Sequence, residues 1–519
     1  MALIDFFDRG WRISAHRPAY IQDGRVTTFN QAGEMSCRIA NALLSLGLAP
    51  GAKGAVWANN DVTAWICALG IWRANFCWIP VGARNAAEEN RHVLDAFDCE
   101  FLFFQREFGD AIAAMRPSLV KVRHFICIDA ECDAAISLQR LIAEQPSTDP
   151  RVRVDLDDVI WVGPTGGTTG LPKGVMNTHR SVQTSFAQFM IATPYPANTM
   201  PVNLAAAPMT HTSGLLSIPC TARGGTVVIL TKPDPQMLLA SIPQYKVTEL
   251  FLPPTVIYRL LDVPDLNRKV DLSSLRYFIY GAAPMSVDKL RKALEVFGPV
   301  MMGGYGQTEA PGSISNLPPG EHFMDGRVAD ERRLSSVGRP NPLIRVEIMN
   351  EENRILAQGE TGEICVRGDI VMKGYYGAPE KTAETIVDGW LHTGDIGHLD
   401  ADGYLHITDR KKDMIISGGF NVYPSEVEQV LWAHPAVRDC AVIGVPDETW
   451  GEAVKAVVEL NDGLAVTDGE LIELCKRKLG SVKSPKSVEF VATLPRSPVG
   501  KVLKKELRAR YWQGTHRNI

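Results

Sequence analysis

The chain has 519 residues, 45% hydrophobic and 22% charged, which is the balance of a folded globular protein and excludes a disordered, collagenous or coiled-coil one. That length exceeds what one hydrophobic core organises, so at least two domains are expected. A net charge of −5 offers no basic excess for nucleic acid or an anionic membrane surface, and neither is expected as a partner.

The first twelve residues are charged early and lack an apolar segment, so they do not read as a secretory signal. Residues 29–46 have helical spacing and stop at Gly47; 54–58 form a short apolar strand. Residues 62–72 are helical again, and 76–81, 100–104 and 124–128 read as strands. Alternation of this kind predicts α/β layers around a largely parallel sheet. The most apolar stretch, 63–80, is broken by Arg73 and Asn75, and reads as a buried helix and strand rather than a membrane span. The ten cysteines show no CxxC pair and no zinc-finger spacing, and read as reduced, mostly buried thiols of a cytoplasmic protein. Between 337 and 376, short β-like runs separated by Gly and Pro predict a small β subdomain.

The pattern changes once more at Arg410-Lys411-Lys412-Asp413. The expected division is therefore a large N-terminal domain, 1–411, and a small α+β C-terminal domain, 412–519. Residues 412–475 carry 3 basic and 12 acidic side chains, whereas 476–519 carry 12 basic and 2 acidic. A solvated face with a basic tail, and a positive surface for a polyphosphate ligand, both fit that division.

The chemically richest stretch follows an apolar run at 159–162. It reads Thr165-Gly166-Gly167-Thr168-Thr169-Gly170-Leu171-Pro172-Lys173-Gly174. The glycines permit close backbone approach, the threonines supply hydroxyls and Lys173 supplies a cation, an inventory suited to phosphate oxygens. It is not a Walker A loop, because Gly174 stands where a Ser or Thr would have to reach magnesium.

This loop resembles that of the adenylate-forming superfamily of acyl-CoA synthetases, adenylation domains and beetle luciferases. Gly166 replaces the serine usual in the family loop. Further motifs follow in the family's order: Pro208-Met209-Thr210-His211, Tyr280-Gly281-Ala282-Ala283-Pro284, Gly303-Gly304-Tyr305-Gly306-Gln307-Thr308-Glu309, Gly389 to Asp395, Arg410, Ser417-Gly418-Gly419, Asp447 to Trp450, and Pro495 to Lys501.

The resemblance implies ATP, Mg²⁺ and CoA as ligands. It implies ATP contacts from Thr165, Gly166, Gly167, Thr168, Thr169, Gly170 and Lys173 to phosphate, from Gly281, Ala282, Ala283 and Tyr305 around adenine, and further ATP contacts from Gly306 and Gln307. Thr308 would touch phosphate, Asp395 would accept from the ribose hydroxyls, and Arg410 would help hold the nucleotide. Glu309 would hold Mg²⁺, and Lys501 would act as the catalytic cation. The implied acyl pocket is bordered by His211, Gly281, Gly303 and Gly304, and Lys412 is the implied interdomain hinge of a mobile C-terminal domain. Gly418, Gly419, Trp450 and Lys486 would lie along the CoA path; Trp450 reads equally well as a core residue. Val482 replaces a ring that the family often has near Lys486.

The implied reaction is ATP-dependent conversion of a carboxylic acid to acyl-AMP, then transfer to CoA. Glycines near the carboxylate fit an aromatic, medium-chain or bulky alicyclic acid. Loading of a separate carrier protein, and a non-catalytic nucleotide-binding protein, are the alternatives; no carrier domain follows Ile519, which favours free CoA. A homodimer is the default assembly.

Overall fold

A computed structural model describes residues 1–132, 135–165, 172–210, 212–264, 266–447, 449–497 and 502–512. Two large sheets dominate the described residues. The first has eight strands in the order Gly374–Tyr375, Lys173–Thr178, Val159–Thr165, Cys77–Pro80, Lys53–Trp57, Phe101–Phe104, His124–Cys127 and Ile136–Ser137. The second has nine: Arg339–Pro340, Ala310–Leu317, Met301–Gln307, Tyr277–Gly281, Glu249–Leu252, Val202–Ala205, Thr226–Ile229, Pro18–Gln22 and Arg25–Thr28. Both are parallel through the middle and take antiparallel strands at an edge.

Local chemistry explains the helices between them. The helix Phe29–Ser45 opens with a capping box formed by Thr28 and Gln31, and the chain turns at Gly47 with φ +68°. The helix Val62–Arg73 starts at Asp61, whose side chain accepts the Ala64 N–H. It is buried from Ala64 to Arg73 because it shares one core with the helices Ile4–Ser14 and Phe29–Ser45 and with the inner faces of both sheets. Trp65, Trp72 and Trp78 meet there edge to face, with ring centroids 5.4 to 6.2 Å apart. Arg73, the charge that interrupts the apolar run, is neutralised by Asp8 at 2.5 Å. The helices Pro235–Tyr245, Pro254–Leu261 and Val287–Phe297 cover the outer face of the nine-stranded sheet. The helices Ala87–Ala96 and Gly109–Met115 cover that of the other. The layered α/β arrangement predicted from alternation is thus five layers deep.

The β subdomain is larger than its sequence texture indicates. Its sheet joins Arg345–Met349, Gly362–Arg367, Ile386–Val387, Trp390–Leu399 and Leu405–Arg410, well past residue 376. The two-residue strand Gly374–Tyr375 leaves it and pairs with Lys173–Thr178 of the eight-stranded sheet. A fourth sheet starts at Ile415–Ser417 and adds Phe420–Val422, Val437–Asp447, Gly451–Leu460 and Ser487–Val491, packed on the helices Pro424–Trp432 and Asp468–Lys483. All ten cysteines are free and nine are buried. No described helix is long and apolar enough to cross a membrane.

Two buried imidazoles make stability depend on pH. The His179 Nδ1 accepts the Leu3 N–H at 3.0 Å, and its Nε2 lies 2.9 Å from Asn75 Oδ1. The His322 Nδ1 lies 3.0 Å from the Pro318 carbonyl, so Nε2 accepts the Tyr280 hydroxyl at 3.0 Å. Burial lowers both to about 4. Each is neutral when folded and takes up a proton on unfolding below about pH 6.5, so stability falls as pH drops from 6.5 toward 4. Each contributes about 2 kcal/mol of loss between pH 7 and pH 5. Urea unfolding of wild type and His322→Gln at the two pH values checks this: the variant's loss is expected to be smaller, and equal losses would contradict it.

Candidate active site

Ligands of open α/β sheets bind beyond the carboxyl ends of the strands. Here Val159–Thr165 and Lys173–Thr178 form a hairpin whose last paired residues are Thr165 and Lys173. The Thr165 Oγ1 lies 3.4 Å from the Lys173 carbonyl. Gly166, Gly167, Thr168, Thr169 and Gly170 lie outside the described residues. The hairpin base meets the end of Met301–Gln307 of the other sheet. The buried Asn177 amide donates to the Thr308 carbonyl at 3.1 Å, and a Cβ on Gly163 would meet Thr308 Cγ2 at 2.8 Å. The loop base and the Thr308-Glu309 pair are therefore neighbours.

Tyr375, which sequence reading passed over, joins them. Its hydroxyl donates to Glu309 Oε1 at 2.9 Å, and the Lys173 ammonium sits 4.9 Å above its ring. Burial first, then the Glu309 carboxylate, holds the Tyr375 phenol above its ordinary range, so it remains a donor. Burial, then the Lys381 charge, draws the Lys173 ammonium below its ordinary value. The Glu309 backbone is anchored by the Met372 N–H at 2.8 Å.

A second cluster lies between the nine-stranded sheet and the β subdomain. Asp395 and Arg410 face each other across the strands Trp390–Leu399 and Leu405–Arg410. The Asp395 Oδ2 accepts the Tyr305 hydroxyl at 2.7 Å, and Oδ1 lies 3.1 Å from Arg410 Nε. Burial, then Asp395, keeps the Tyr305 phenol protonated. Each carboxylate oxygen has capacity for a further hydrogen bond. The Tyr305, Asp395 and Arg410 residues, 90 and 15 positions apart, thus form one polar unit.

The glycine motifs separate by face. Ala282 adopts φ +65° at the end of Tyr277–Gly281, a left-handed conformation costing roughly 1 kcal/mol in a non-glycine residue. Together with Ala283 it forms the turn beyond that strand. A Cβ on Gly281 would strike the Gly304 carbonyl at 2.6 Å, and one on Gly306 the Gly312 carbonyl at 2.1 Å. Gly304 turns toward Asn316 and Ser313, with room for a Cβ, whereas a Cβ on Gly303 would meet Tyr280 and Leu317. Strand alternation therefore sets Gly303 and Gly304 on opposite faces, and the two do not share one pocket wall. Met302 lies on the Gly304 side, in an apolar cluster with Phe189, Leu216, Phe251 and Ile279. Gln307 has a buried amide nitrogen with no hydrogen-bond partner among the described residues. His211 lies outside the described residues.

In the C-terminal part, Gly418 and Gly419 have φ +58° and +82°. The Gly418 N–H donates to the Trp450 carbonyl at 2.8 Å, and a Cβ on Gly418 would sit 2.6 Å from the Trp450 ring. The Lys486 ammonium lies 5.0 Å above that ring, which is 37% exposed and so not a core residue. Lys412 is gripped from the C-terminal helix Lys504–Ala509: Arg508 donates to its carbonyl at 3.2 Å and pairs with Asp413 at 2.6 Å. Burial alone would lower the Lys504 ammonium, but Glu428, 2.7 Å away, with Asp409 and Asp413, pushes it up to about 12. Lys501 lies outside the described residues.

The described residues contain no group of three or more His, Cys, Asp or Glu placed to hold a metal. One carboxylate, Glu309, beside a phosphate-type loop is a donor set for Mg²⁺ that arrives with nucleotide phosphates. A five-layer α/β body, a hairpin whose tip is rich in glycine and threonine, and a Tyr–Asp–Arg cluster are the parts of a nucleotide-binding enzyme.

The AMP-binding enzyme family model matches residues 7–376, and the AMP-binding enzyme C-terminal domain model matches 426–501. The chain belongs to this family of adenylate-forming enzymes. It is 42% identical over 401 residues to the medium/long-chain-fatty-acid–CoA ligase FadD8 of Mycobacterium tuberculosis (strain ATCC 25618 / H37Rv), covering 75% of this chain and 68% of the relative. It is 36% identical over 503 residues to a feruloyl-CoA synthase of Amycolatopsis sp., covering 96% and 97%. The amide bond synthetase McbA from Marinactinospora thermotolerans superposes with a TM-score of 0.88 at 32% identity, covering 98% of this chain and all of that one.

Proposed function

We propose that the protein is an AMP-forming acid–thiol ligase acting on an aromatic, medium-chain or bulky alicyclic carboxylic acid, with CoA as acceptor. The observation that carries this reading is the Tyr305–Asp395–Arg410 unit beside the hairpin and Glu309. It joins a carboxylate suited to vicinal hydroxyls with a loop suited to phosphates. The named activities of FadD8 and the feruloyl-CoA synthase support a CoA ligase.

In the first step a substrate carboxylate oxygen attacks the α-phosphorus of ATP, and the bond to the bridging oxygen of the β-phosphate breaks, releasing pyrophosphate. Thr165 and Lys173, with Thr168 and Thr169, hold the β- and γ-phosphates, and Thr308 touches phosphate. Asp395 accepts from the ribose while Arg410 fixes that carboxylate, and Gly281, Ala282 and Ala283 leave the adenine face open. Glu309 would hold Mg²⁺, oriented by the Tyr375 hydroxyl; the ion would neutralise phosphate charge when bound. Lys501 stabilises charge developing at the reacting phosphorus. In the second step the CoA sulfur, having lost its proton, attacks the acyl carbon and AMP leaves.

We place the domain boundary at 411/412, between the last strand of the β subdomain and Ile415–Ser417. Rotation about Lys412 would exchange Lys501 for Gly418 and Gly419 at the site. A homodimer is the proposed assembly.

The test is incubation with ATP, Mg²⁺, CoA and a panel of carboxylic acids, with acyl-CoA read by mass beside a Lys501→Ala control. A thioester from one acid class, lost in the control, is the expected result. Acyl-AMP without thioester would replace CoA by another acceptor. ATP binding without pyrophosphate release from any acid would overturn catalysis.

A further inference from the structure

Glu363 stands in the strand Gly362–Arg367, outside every motif that suggested the site, yet its carboxylate touches both ends of the Asp395–Arg410 unit. Its Oε1 accepts the N–H of Gly394, the residue before Asp395, at 3.0 Å. Its Oε2 lies 3.4 Å from the ammonium of Lys411, the residue after Arg410, and 3.3 Å from His392 Nδ1. The Glu363 side chain is 12% exposed, as is that of His392, so the carboxylate is largely shielded from competing water on that side, whereas the Lys411 side chain is half-exposed. The backbone closes the same ring: the Lys411 N–H donates to the Gly394 carbonyl at 2.9 Å. The neighbouring Ile364 carbonyl accepts the Thr393 hydroxyl at 2.7 Å, and that hydroxyl accepts the Asp395 N–H at 3.1 Å.

The kink at Gly394 within the strand Trp390–Leu399 needs such a brace. Gly394 has φ +72°, a conformation that glycine adopts freely and leaves as freely, so its own backbone preference does not hold Asp395 in place. A charge-assisted hydrogen bond donated by its N–H to the Glu363 carboxylate does. The ion pair to Lys411 adds the other strand, one residue from Lys412.

We infer that Glu363 is a positioning residue for nucleotide ribose: it sets the kink at Gly394 and the Lys411 end so that Asp395 presents its oxygens to the two ribose hydroxyls. The inference rests on the nucleotide reading of Asp395. Glu363 touches no substrate itself, and its effect is confined to the part of binding that comes through the ribose hydroxyls.

Calorimetric binding of ATP and of 2′,3′-dideoxy-ATP isolates that part, with no acid substrate present. Wild type is expected to bind ATP at least tenfold more tightly than the dideoxy analogue. In Glu363→Ala that ratio is expected to fall to about two or less, while affinity for the dideoxy analogue stays within twofold of wild type. Glu363→Gln keeps an acceptor for the Gly394 N–H and is expected to restore most of the ratio. It also guards against a fold lost in the alanine variant. A ratio unchanged in Glu363→Ala would overturn the inference, and so would equal weakening of both nucleotides in both variants. A wild type that does not discriminate between the nucleotides would instead overturn the ribose reading of Asp395.

Discussion

Lys501→Ala is expected to slow acyl-adenylate formation by about a hundred- to a thousandfold, the usual effect of removing one preorganised charge stabiliser. The same variant is expected to convert supplied acyl-AMP and CoA to thioester at close to the wild-type rate. The asymmetry follows from what each step demands. Attack at phosphorus gathers negative charge on oxygens, where a cation acts. Attack of a thiolate on the acyl carbon expels AMP, already a good leaving group. Pyrophosphate exchange reads the first step and thioester release reads the second. Equal loss of both would defeat the division of labour between Lys501 and the Gly418–Gly419 segment.

The neighbouring lysines supply the control. Lys504 is as basic as Lys501 in the sequence, but its ammonium is tied to Glu428 at 2.7 Å, with Asp409 and Asp413 close by. Removing it would leave carboxylates without their cation, a cost in folding stability rather than in one chemical step. A variant at Lys504 therefore does not reproduce the split between half-reactions.

What the sequence made legible was local chemistry. The glycine–threonine loop states its phosphate affinity through residue types within ten positions, and the buried helix Val62–Arg73 through an apolar run that begins at a capping Asp61. Motif order supplied Tyr305, Asp395 and Arg410; the 3.1 Å contact follows from the pairing of Trp390–Leu399 with Leu405–Arg410, and the 2.7 Å contact from the packing of the β subdomain against the nine-stranded sheet. Three features had no local signal. Gly374–Tyr375 is two residues long and pairs with a remote sheet, so Tyr375 reads as a loop aromatic until that pairing sets its hydroxyl on Glu309. Glu363 opens an apolar strand run, Ile364-Cys365-Val366, as many a strand-end carboxylate does, and only the antiparallel register to Trp390–Leu399 brings it to Gly394. Gly303 and Gly304 look equivalent in a motif, but a strand's period of two turns one to each face. In the first two cases the missing information is tertiary, namely which strand lies alongside and in which register; in the third it is the strand assignment itself.

Gly419→Leu is expected to reverse the Lys501→Ala phenotype, leaving adenylate formation within a fewfold of wild type and slowing thioester formation about a hundredfold, the scale of loss when a reacting group is held out of place. The two adjacent glycines differ in what a side chain would meet. At Gly418 a Cβ lies 2.6 Å from Trp450, so any substitution there would move the ring and disturb the 5.0 Å Lys486 contact. At Gly419 nothing lies within 4 Å, and an added side chain projects into open space. That space is where the pantetheine arm is proposed to pass. The backbone adds a second cost, since φ +82° disfavours every side chain. Gly419→Ala carries the same backbone strain with almost no bulk and so separates the two costs. A thioester defect in the leucine variant alone identifies a steric block. Equal defects in both would assign the effect to strain, and unaffected CoA turnover in Gly419→Leu would remove this segment from the thiol path.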